Sequence, residues 1–597
     1  MQKIGIGYEF YKDIVDDRCY YVDKTLFIRD VIEKGGKVTL FTRPRRFGKT
    51  LALTTLQTFF ECECDREGNV IDNSRYFFGK KIMGAGKEII SKLGQYPVIF
   101  LSLKSVAQTD FSSAFYRLRY EIFNEVIRHS YVLNADRLND ADREKMKDLL
   151  KRAAKPFFGD RADSRFTEEI SVVSQALKTL SACLKQYHGK DTIILLDEYD
   201  VPLESAYFGG FYEEMTGFVR SFFESTLKTN PSLEFAVVTG CLRISRESIF
   251  TGLNHLEINS IRATSFGEYF GFTQEETTAM LSDYGLLDKV DEVKDWYDGY
   301  LFGLTEVYNP WSVTKYVKDH VNVRDWLPES YWANTSSNAI VRNLIEKADK
   351  NEKEDLEVLI DSGTVEKKIH EDITYADLES TEDDNLWNFL FFTGYLRKEA
   401  ERMDGEEIHM LMRIPNREVR SIFSRQVRGW FERMVKATDR ETLYRAVMAK
   451  DTQIMEEYVT DLLDKAISVF DGTESFYHGF LLSILIGLPH YTVKSNREEG
   501  DGRPDIILYP GRRREPAIIF EIKVRKAYNK MDDGIAEAFS QMQEKRYAAG
   551  ILAEGYNGVV AFAGCFCKKS VIFDVKPNFE EPSMSREHEV YPQGKLE

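Results

Sequence analysis

The chain has 597 residues, 43% hydrophobic, 30% charged and 13% aromatic; that length exceeds what one hydrophobic core supports and predicts two to four domains, while the composition excludes a disordered or collagen-like protein. A formal net charge of −17 excludes a protein coated with nucleic acid, because non-specific affinity for phosphates comes from Lys and Arg. The acidity is uneven: residues 351–384 hold thirteen acids and three bases, whereas 501–530 hold eight bases and four acids, a basic island that suits either a localised polyanion site or a solvated charged face.

No stretch reaches the roughly 18 unbroken apolar residues of a membrane span, and the first residues lack a signal-peptide core, so a cytoplasmic protein with no membrane partner is expected. The seven cysteines include two close pairs, Cys62/Cys64 and Cys565/Cys567, each with one intervening residue. That spacing differs from a zinc knuckle, and reduced thiols are expected.

In chain order, Tyr20-Tyr21-Val22-Asp23-Lys24-Thr25 leads into an apolar-faced helix from Leu26, with Thr25 as its expected cap and the segment as a flap over the loop at 43–50. Next, the apolar run Val38-Thr39-Leu40-Phe41 precedes Arg43-Pro44-Arg45-Arg46-Phe47-Gly48-Lys49-Thr50, which opens into the helical pattern Leu51-Ala52-Leu53-Thr54-Thr55-Leu56. A strand, a tight turn ending Gly-Lys-Thr and a helix place backbone N–H groups around an anion, with Lys reaching outer phosphates and Thr available to Mg²⁺. Arg43 stands where the usual motif begins with Gly.

Residues 97–103 read as a buried strand, and 111–129 and 141–153 as helices. The run Thr192-Ile193-Ile194-Leu195-Leu196 ends in Asp197-Glu198-Tyr199-Asp200, the pattern of a central parallel strand with carboxylates at its edge. It is expected beside the loop strand, with Asp197 holding Mg²⁺ and Glu198 polarising the attacking water. A further strand over 234–240 is followed by Arg243 and Arg246; Thr239 is placed to orient water, and each arginine either neutralises γ-phosphate charge or lies on the surface.

These motifs, together with Ser248-Ile249-Phe250-Thr251-Gly252-Leu253-Asn254, resemble the AAA-ATPase-like family of bacterial proteins, whose members commonly carry a C-terminal PD-(D/E)XK nuclease domain. The resemblance covers most of the first half and makes Arg43 a family trait. It implies a P-loop NTPase core that binds ATP with Mg²⁺ through Arg43, Arg45, Arg46, Phe47, Gly48, Lys49, Thr50, Asp197, Thr239 and Arg243.

From Ser265 the pattern turns helical, with a capping-box sequence from Thr273 to Glu276. The aromatic turns Trp296-Tyr297-Asp298-Gly299-Tyr300 and Val307-Tyr308-Asn309-Pro310-Trp311 resemble the helical, winged-helix-like region that follows this ATPase core; their rings either pack a lid or stack on bases. Another packed helix and turn is expected over 386–396.

Near the C-terminus, Thr473 caps a predicted helix carrying Glu474 and His478 one turn apart. Strands over 491–495, 503–509 and 517–524, a helix over 533–546 and a strand over 559–562 give an αβββαβ order. Side chains alternate along a strand, so Glu521 and Lys523 share a face, and Asp505 from the adjacent strand adds a second hard oxygen ligand for Mg²⁺ or Mn²⁺. This arrangement meets the needs of phosphodiester hydrolysis. It resembles the PD-(D/E)XK core, in which Asp505, Glu521 and Lys523 are the named residues, Glu474 an extra first-helix carboxylate, and Gln541 and Tyr547 a Gln…Tyr pair on the helix beyond. His478 reads as a packing or hydrogen-bonding residue.

The expected architecture is therefore an α/β P-loop domain over 1–265, a helical, winged-helix-like lid and connector over 266–455, and a restriction-endonuclease-like domain over 456–597. The expected function is ATP hydrolysis gating metal-dependent cleavage of nucleic acid, with a homo-oligomer admitted. The alternative is a nucleotide-regulated binding or signalling switch with an inactive nuclease fold.

Overall fold

The computed structural model describes residues 1–579 except 135, 156–163, 244–248, 251–254, 335–347, 371–383, 426–438, 466–473 and 496–503. Arg246, most of the 248–254 motif, Thr473 and the basic-island residues Asp501 and Arg503 lie outside the described residues. The chain divides into two compact units, Met1–Leu344 with Ser362–Phe423, and Ile345–Asp361 with Ser424–Glu597.

The first unit is built on a fully parallel sheet of β1 (Val38–Thr42), β2 (Val98–Ser102), β3 (Thr192–Asp197), β4 (Leu233–Gly240) and β5 (Leu256–Asn259), in the order β2-β3-β4-β1-β5. Every residue of β1 and β3 is buried, as continuous aliphatic strands require when helices cover both faces. The connecting helices start where local chemistry permits: Asp110 accepts from the Ser113 N–H at 3.0 Å to cap Phe111–Arg128, and Asn139 accepts from the Asp142 N–H at 2.8 Å to cap Asp140–Ala153.

Two local expectations are corrected. β3 does not lie beside the loop strand: β4 stands between them, paired with β1 from Val38/Ala236 to Thr42/Gly240 and with β3 on its other side. Gly240 permits the crowding at that junction, since a Cβ there would lie 2.5 Å from the Tyr199 ring and 2.8 Å from Asp200 Oδ1. The cap of helix Leu26–Lys34 is also different. Thr25 already has helical dihedrals, so Asp23 Oδ1 accepts from the Thr25 N–H at 2.9 Å and its hydroxyl at 2.6 Å, while Thr25 Oγ1 accepts from the Ile82 N–H.

Beyond this sheet, Thr273 and Glu276 form the capping box of helix Gln274–Asp283. A hairpin of β6 (Tyr300–Phe302) and β7 (Thr305–Val307) leads to helix Pro310–Asn322, capped by Asn309. Strands β8 (Val365–Ile369), β9 (Arg397–Asp404) and β10 (Glu407–Arg413) make a small antiparallel sheet ordered β8-β10-β9, joined by helix Asp384–Phe392. Tyr297, Tyr300 and Phe302 are buried.

The second unit carries helix Glu474–Leu485 and a mixed sheet of β11 (Tyr491–Ser495), β12 (Ile506–Pro510), β13 (Ala517–Val524), β14 (Val559–Cys567) and β15 (Ser570–Lys576) in chain order. Only the β13/β14 pairing is parallel, and helix Met531–Glu544 with the shorter Tyr547–Ala553 makes that crossover. The αβββαβ order is thus present with two additions, the second crossover helix and β15. Phe520 and Phe562 stack at 4.8 Å within its core. Among the described residues, no helix is long and apolar enough to cross a membrane.

Candidate nucleotide and nuclease sites

The loop residues Arg45 to Gly48 and the first turn of helix Lys49–Phe60 border a cavity of about 550 Å³, within the size range of small-ligand sites. Gly48 caps that helix at φ 82°, a left-handed conformation in which a Cβ is strained although space is open. Its neighbour Lys49 is buried, with Nζ 3.1 Å from the Arg43 carbonyl oxygen, 3.2 Å from that of Pro44 and 3.5 Å from Glu198 Oε1. Burial opposes its charge, but Cys241, Glu198, Asp200 and Asp197 outweigh burial and hold the ammonium above its ordinary value.

Asp197 is fully buried at the end of β3 and gathers three hydroxyls. Thr239 donates to Oδ1 at 2.7 Å, and Thr50 and Ser102 donate to Oδ2 at 2.8 and 3.3 Å. Burial, and then the Glu198 charge, push its carboxyl above the carboxylate range. Glu198 has φ 53°, which turns it out of line with the strand and toward Lys49 and the cavity. The structure therefore brings together Lys49, Thr50, Asp197, Glu198 and Thr239.

Each loop arginine has a partner of its own, and Arg45 and Arg46 also line the cavity. Arg43 is wholly buried: Nη1 donates to the Thr42 and Asn259 carbonyls at 2.9 and 2.6 Å, and the guanidinium lies between the Phe270 and Phe302 rings at 5.0 and 5.2 Å. Burial pulls its charge down to about 9. Arg45 pairs with Glu204, Arg46 stacks on Trp311 with its guanidinium carbon 4.2 Å from the ring centroid, and Phe47 is buried against Tyr300 and Phe302. Arg243 is half-buried just beyond β4.

In the second unit, Asp505 precedes β12 and its Oδ2 accepts from the Ile522 N–H at 2.8 Å. Glu521 and Lys523 share a face of β13, with Lys523 Nζ 3.1 Å from Glu521 Oε1 and 3.1 Å from the Ile522 carbonyl oxygen. Gln541 also donates to Glu521 Oε1, and its amide lies 3.3 Å from the Tyr547 hydroxyl. Burial raises the carboxyls of both Asp505 and Glu521, and Asp505 adds to the rise at Glu521. Helix Glu474–Leu485 reaches this site through His478, whose Nε2 is 2.8 Å from the Asp505 carbonyl oxygen; Glu474 is exposed at the helix start.

Residues 5–250 match the family model described as predicted AAA-ATPase, and residues 472–575 match that of the PD-(D/E)XK nuclease superfamily. The chain joins an AAA-ATPase-like domain to a PD-(D/E)XK nuclease-superfamily domain. It is also similar to a protein of Azotobacter chroococcum mcd 1 named "Uncharacterized protein in vnfD 5'region", at 24% identity over 513 residues, covering 83% of this chain and 79% of that one. An alignment of that length takes in part of the segment between the two family matches.

The donor sets fit divalent cations at both domains. In the AAA-ATPase-like domain the Thr50 hydroxyl and the Asp197 carboxylate are adjacent hard oxygens at a helix N-terminus. In the nuclease-superfamily domain Glu521 Oε2 is buried without a hydrogen-bond partner among the described residues, beside a second carboxylate. Among the described residues no group of three or more His, Cys, Asp or Glu side chains gathers as a metal site. One or two carboxylates completed by water and phosphate is the ordinary way of holding Mg²⁺.

Sequence reasoning missed Ser102, Asp200, Cys241 and Trp311. Asp200 stood in the Asp-Glu-Tyr-Asp string, and its Oδ2 accepts from the Cys241 and Leu242 N–H groups at 2.8 and 3.1 Å. Ser102 ends a strand whose neighbour in the sheet could not be read from its composition.

Proposed function

We propose that the chain hydrolyses ATP and that its nucleotide state gates metal-dependent phosphodiester cleavage by the nuclease-superfamily domain. The observation that carries the reading is the Thr50–Asp197–Thr239 hydroxyl–carboxylate chain beside the Lys49–Glu198 pair, of which Thr50, Lys49 and Glu198 line the cavity while Asp197 and Thr239 are buried behind them. In this reading the helix N-terminus and Lys49 neutralise the outer phosphates. Thr239 and Thr50 fix the Asp197 carboxylate in one orientation, and Glu198, the acid turned toward the cavity, takes the proton of the attacking water. Arg243 offsets charge that develops on the transferred phosphoryl group.

At the second site Asp505 and Glu521 are the carboxylates that would hold a divalent cation, which when bound supplies Lewis acidity and a water of lowered pKa. Lys523, held by Glu521 and the Ile522 carbonyl, neutralises charge at the cleaved phosphate, and Gln541 keeps Glu521 in its rotamer. Glu474 is assigned as an auxiliary carboxylate from its place on the first helix. The division into 1–265, 266–455 and 456–597, a cytoplasmic location and self-association belong to the same proposal.

The test uses purified full-length chain with single- and double-stranded DNA and RNA, Mg²⁺ or Mn²⁺, with and without ATP. Cleavage that requires Asp505 and changes with ATP in the wild type but not in Lys49→Ala supports the reading. ATP turnover with no cleavage of any substrate removes the nuclease half, and cleavage indifferent to ATP removes the gating.

A further inference from the structure

The three arginines of the phosphate loop are wired to three different elements, and only one connection can open cheaply. Arg43 is sealed between Phe270 and Phe302, with two carbonyl partners and no exposed surface. Arg45 is tied to Glu204, and its backbone carbonyl accepts from Trp332 Nε1 at 3.2 Å. Arg46 is exposed, sits at φ 71° on the cavity wall, and lies on the face of Trp311, another cavity-lining residue. Trp311 is the second residue of helix Pro310–Asn322, and its indole N–H donates to the Tyr331 carbonyl at 3.3 Å. The ring is therefore anchored while the guanidinium is not. The Lys315 ammonium lies farther from the same ring, at 5.5 Å.

We propose that Arg46 and Trp311 form a latch read by nucleotide: phosphate entering the loop competes with the indole ring for the Arg46 guanidinium, and its departure frees the start of helix Pro310–Asn322. Arg43 and Phe47 are the fixed pins that keep Phe270 and the β6 hairpin seated on the loop while the latch changes. This rests on the nucleotide reading above and adds to it how occupancy reaches the segment after the core. An exposed guanidinium over a half-buried ring is a weak contact, so the competition is one that a phosphate anion wins.

The latch predicts an affinity change opposite in sign to ordinary damage at a cavity wall. Trp311→Ala removes the competitor and tightens binding of labelled ATP in equilibrium dialysis by about two- to fivefold, the value of an exposed cation–π contact. Arg46→Ala weakens binding, and adding Trp311→Ala to it has no further effect. In a parallel measurement, nucleotide changes the tryptophan fluorescence of the wild type and the change is lost in Trp311→Phe, which keeps a ring in place and decides the matter should the alanine variant not fold. Unchanged or weaker binding in Trp311→Ala, or an undiminished fluorescence response in Trp311→Phe, overturns the latch alone. A wild type that binds no nucleotide, or binds it no better than Lys49→Ala does, overturns the nucleotide reading and the latch with it.

Discussion

Thr239→Val tests the chain of hydroxyls around Asp197. Valine has nearly the same shape, so β4 and its pairing with β1 and β3 are kept, but the 2.7 Å hydrogen bond to Asp197 Oδ1 is lost. That oxygen is fully buried, and no water takes the place of the hydroxyl without opening the strand ends. A hydrogen bond to a charged acceptor contributes about 1.5–3 kcal/mol. If the whole of it is expressed in the orientation of Asp197 during hydrolysis, turnover falls about ten- to a hundredfold. Binding is spared, because Thr50 still donates to Oδ2 at 2.8 Å and Lys49 is untouched. The assay is steady-state ATP turnover beside equilibrium dialysis with labelled ATP, for the wild type, Thr239→Val and Thr239→Ser. Serine keeps the hydroxyl and sets the effect of losing the methyl alone. Turnover of Thr239→Val within about twofold of the Ser variant would refute the argument that this bond orients Asp197 for the reaction.

Gly48→Ala places a side chain at φ 82° and lowers stability by about 1–2 kcal/mol, read as a shift in the denaturant midpoint, with ATP affinity falling too; unchanged affinity would mean that the loop backbone does not face phosphate. Asp505→Ala and Glu521→Gln each abolish nucleic-acid cleavage while ATP turnover stays within about twofold of the wild type, and residual cleavage above a few per cent in either counts against a shared two-carboxylate site. Glu125 gives a pH signature. Burial acts against its charge, but Arg128 and His129 outweigh burial and hold its carboxyl down at about 2 against an ordinary 4.5. Because the folded value is depressed, this contribution is fully present above pH 4.5 and is lost as pH falls toward 2, amounting to about 3 kcal/mol. Denaturant melts from pH 5 to 3 should therefore fall less steeply in Glu125→Gln than in the wild type.

The strand-forming runs were legible because burial on both faces leaves a continuous aliphatic signature, as at Ile193-Ile194-Leu195-Leu196. Lateral order was not, since nothing local distinguishes a strand that neighbours β1 from one a position farther away; the place of β4 follows from long-range pairing. The Asp505, Glu521 and Lys523 cluster was legible from strand alternation plus one turn. The destinations of Arg43, Arg45 and Arg46 were not, because an arginine beside a phosphate loop carries the same letters whether it faces an anion, a carboxylate or an aromatic ring. Only the partners, Phe270 and Phe302 for the first, Glu204 for the second and Trp311 for the third, separate the cases. The Thr25 cap failed for a smaller reason: Thr25 is already helical, and its hydroxyl is taken up by Asp23, two residues earlier, and by the Ile82 N–H.

The string Asp197-Glu198-Tyr199-Asp200 shows how one motif divides labour between the end of β4 and the cavity. Asp197 is held by Thr239, the Tyr199 N–H donates to the Thr239 carbonyl at 3.0 Å, the Tyr199 hydroxyl donates to the Leu242 carbonyl at 2.7 Å, and Asp200 accepts from Cys241 and Leu242. Three of the four residues are thus fastened to β4 and the two residues beyond it. With its neighbours fixed, Glu198 is forced to φ 53°, a conformation costing a residue with a Cβ about 1–2 kcal/mol, and that turn aims its carboxylate at the cavity. Two acids two positions apart must then respond differently to substitution. Glu198→Gln keeps the shape and the fold but removes the proton acceptor, so turnover falls about a hundred- to ten-thousandfold while ATP still binds. Asp200→Ala leaves two buried N–H groups without an acceptor, each costing about 1–3 kcal/mol, so its first effect is a lower denaturant midpoint, with turnover following the folded fraction. A Glu198→Gln variant that turns over normally, or an Asp200→Ala variant as stable as the wild type, would show that the strained turn and the clamp have been assigned to the wrong acids.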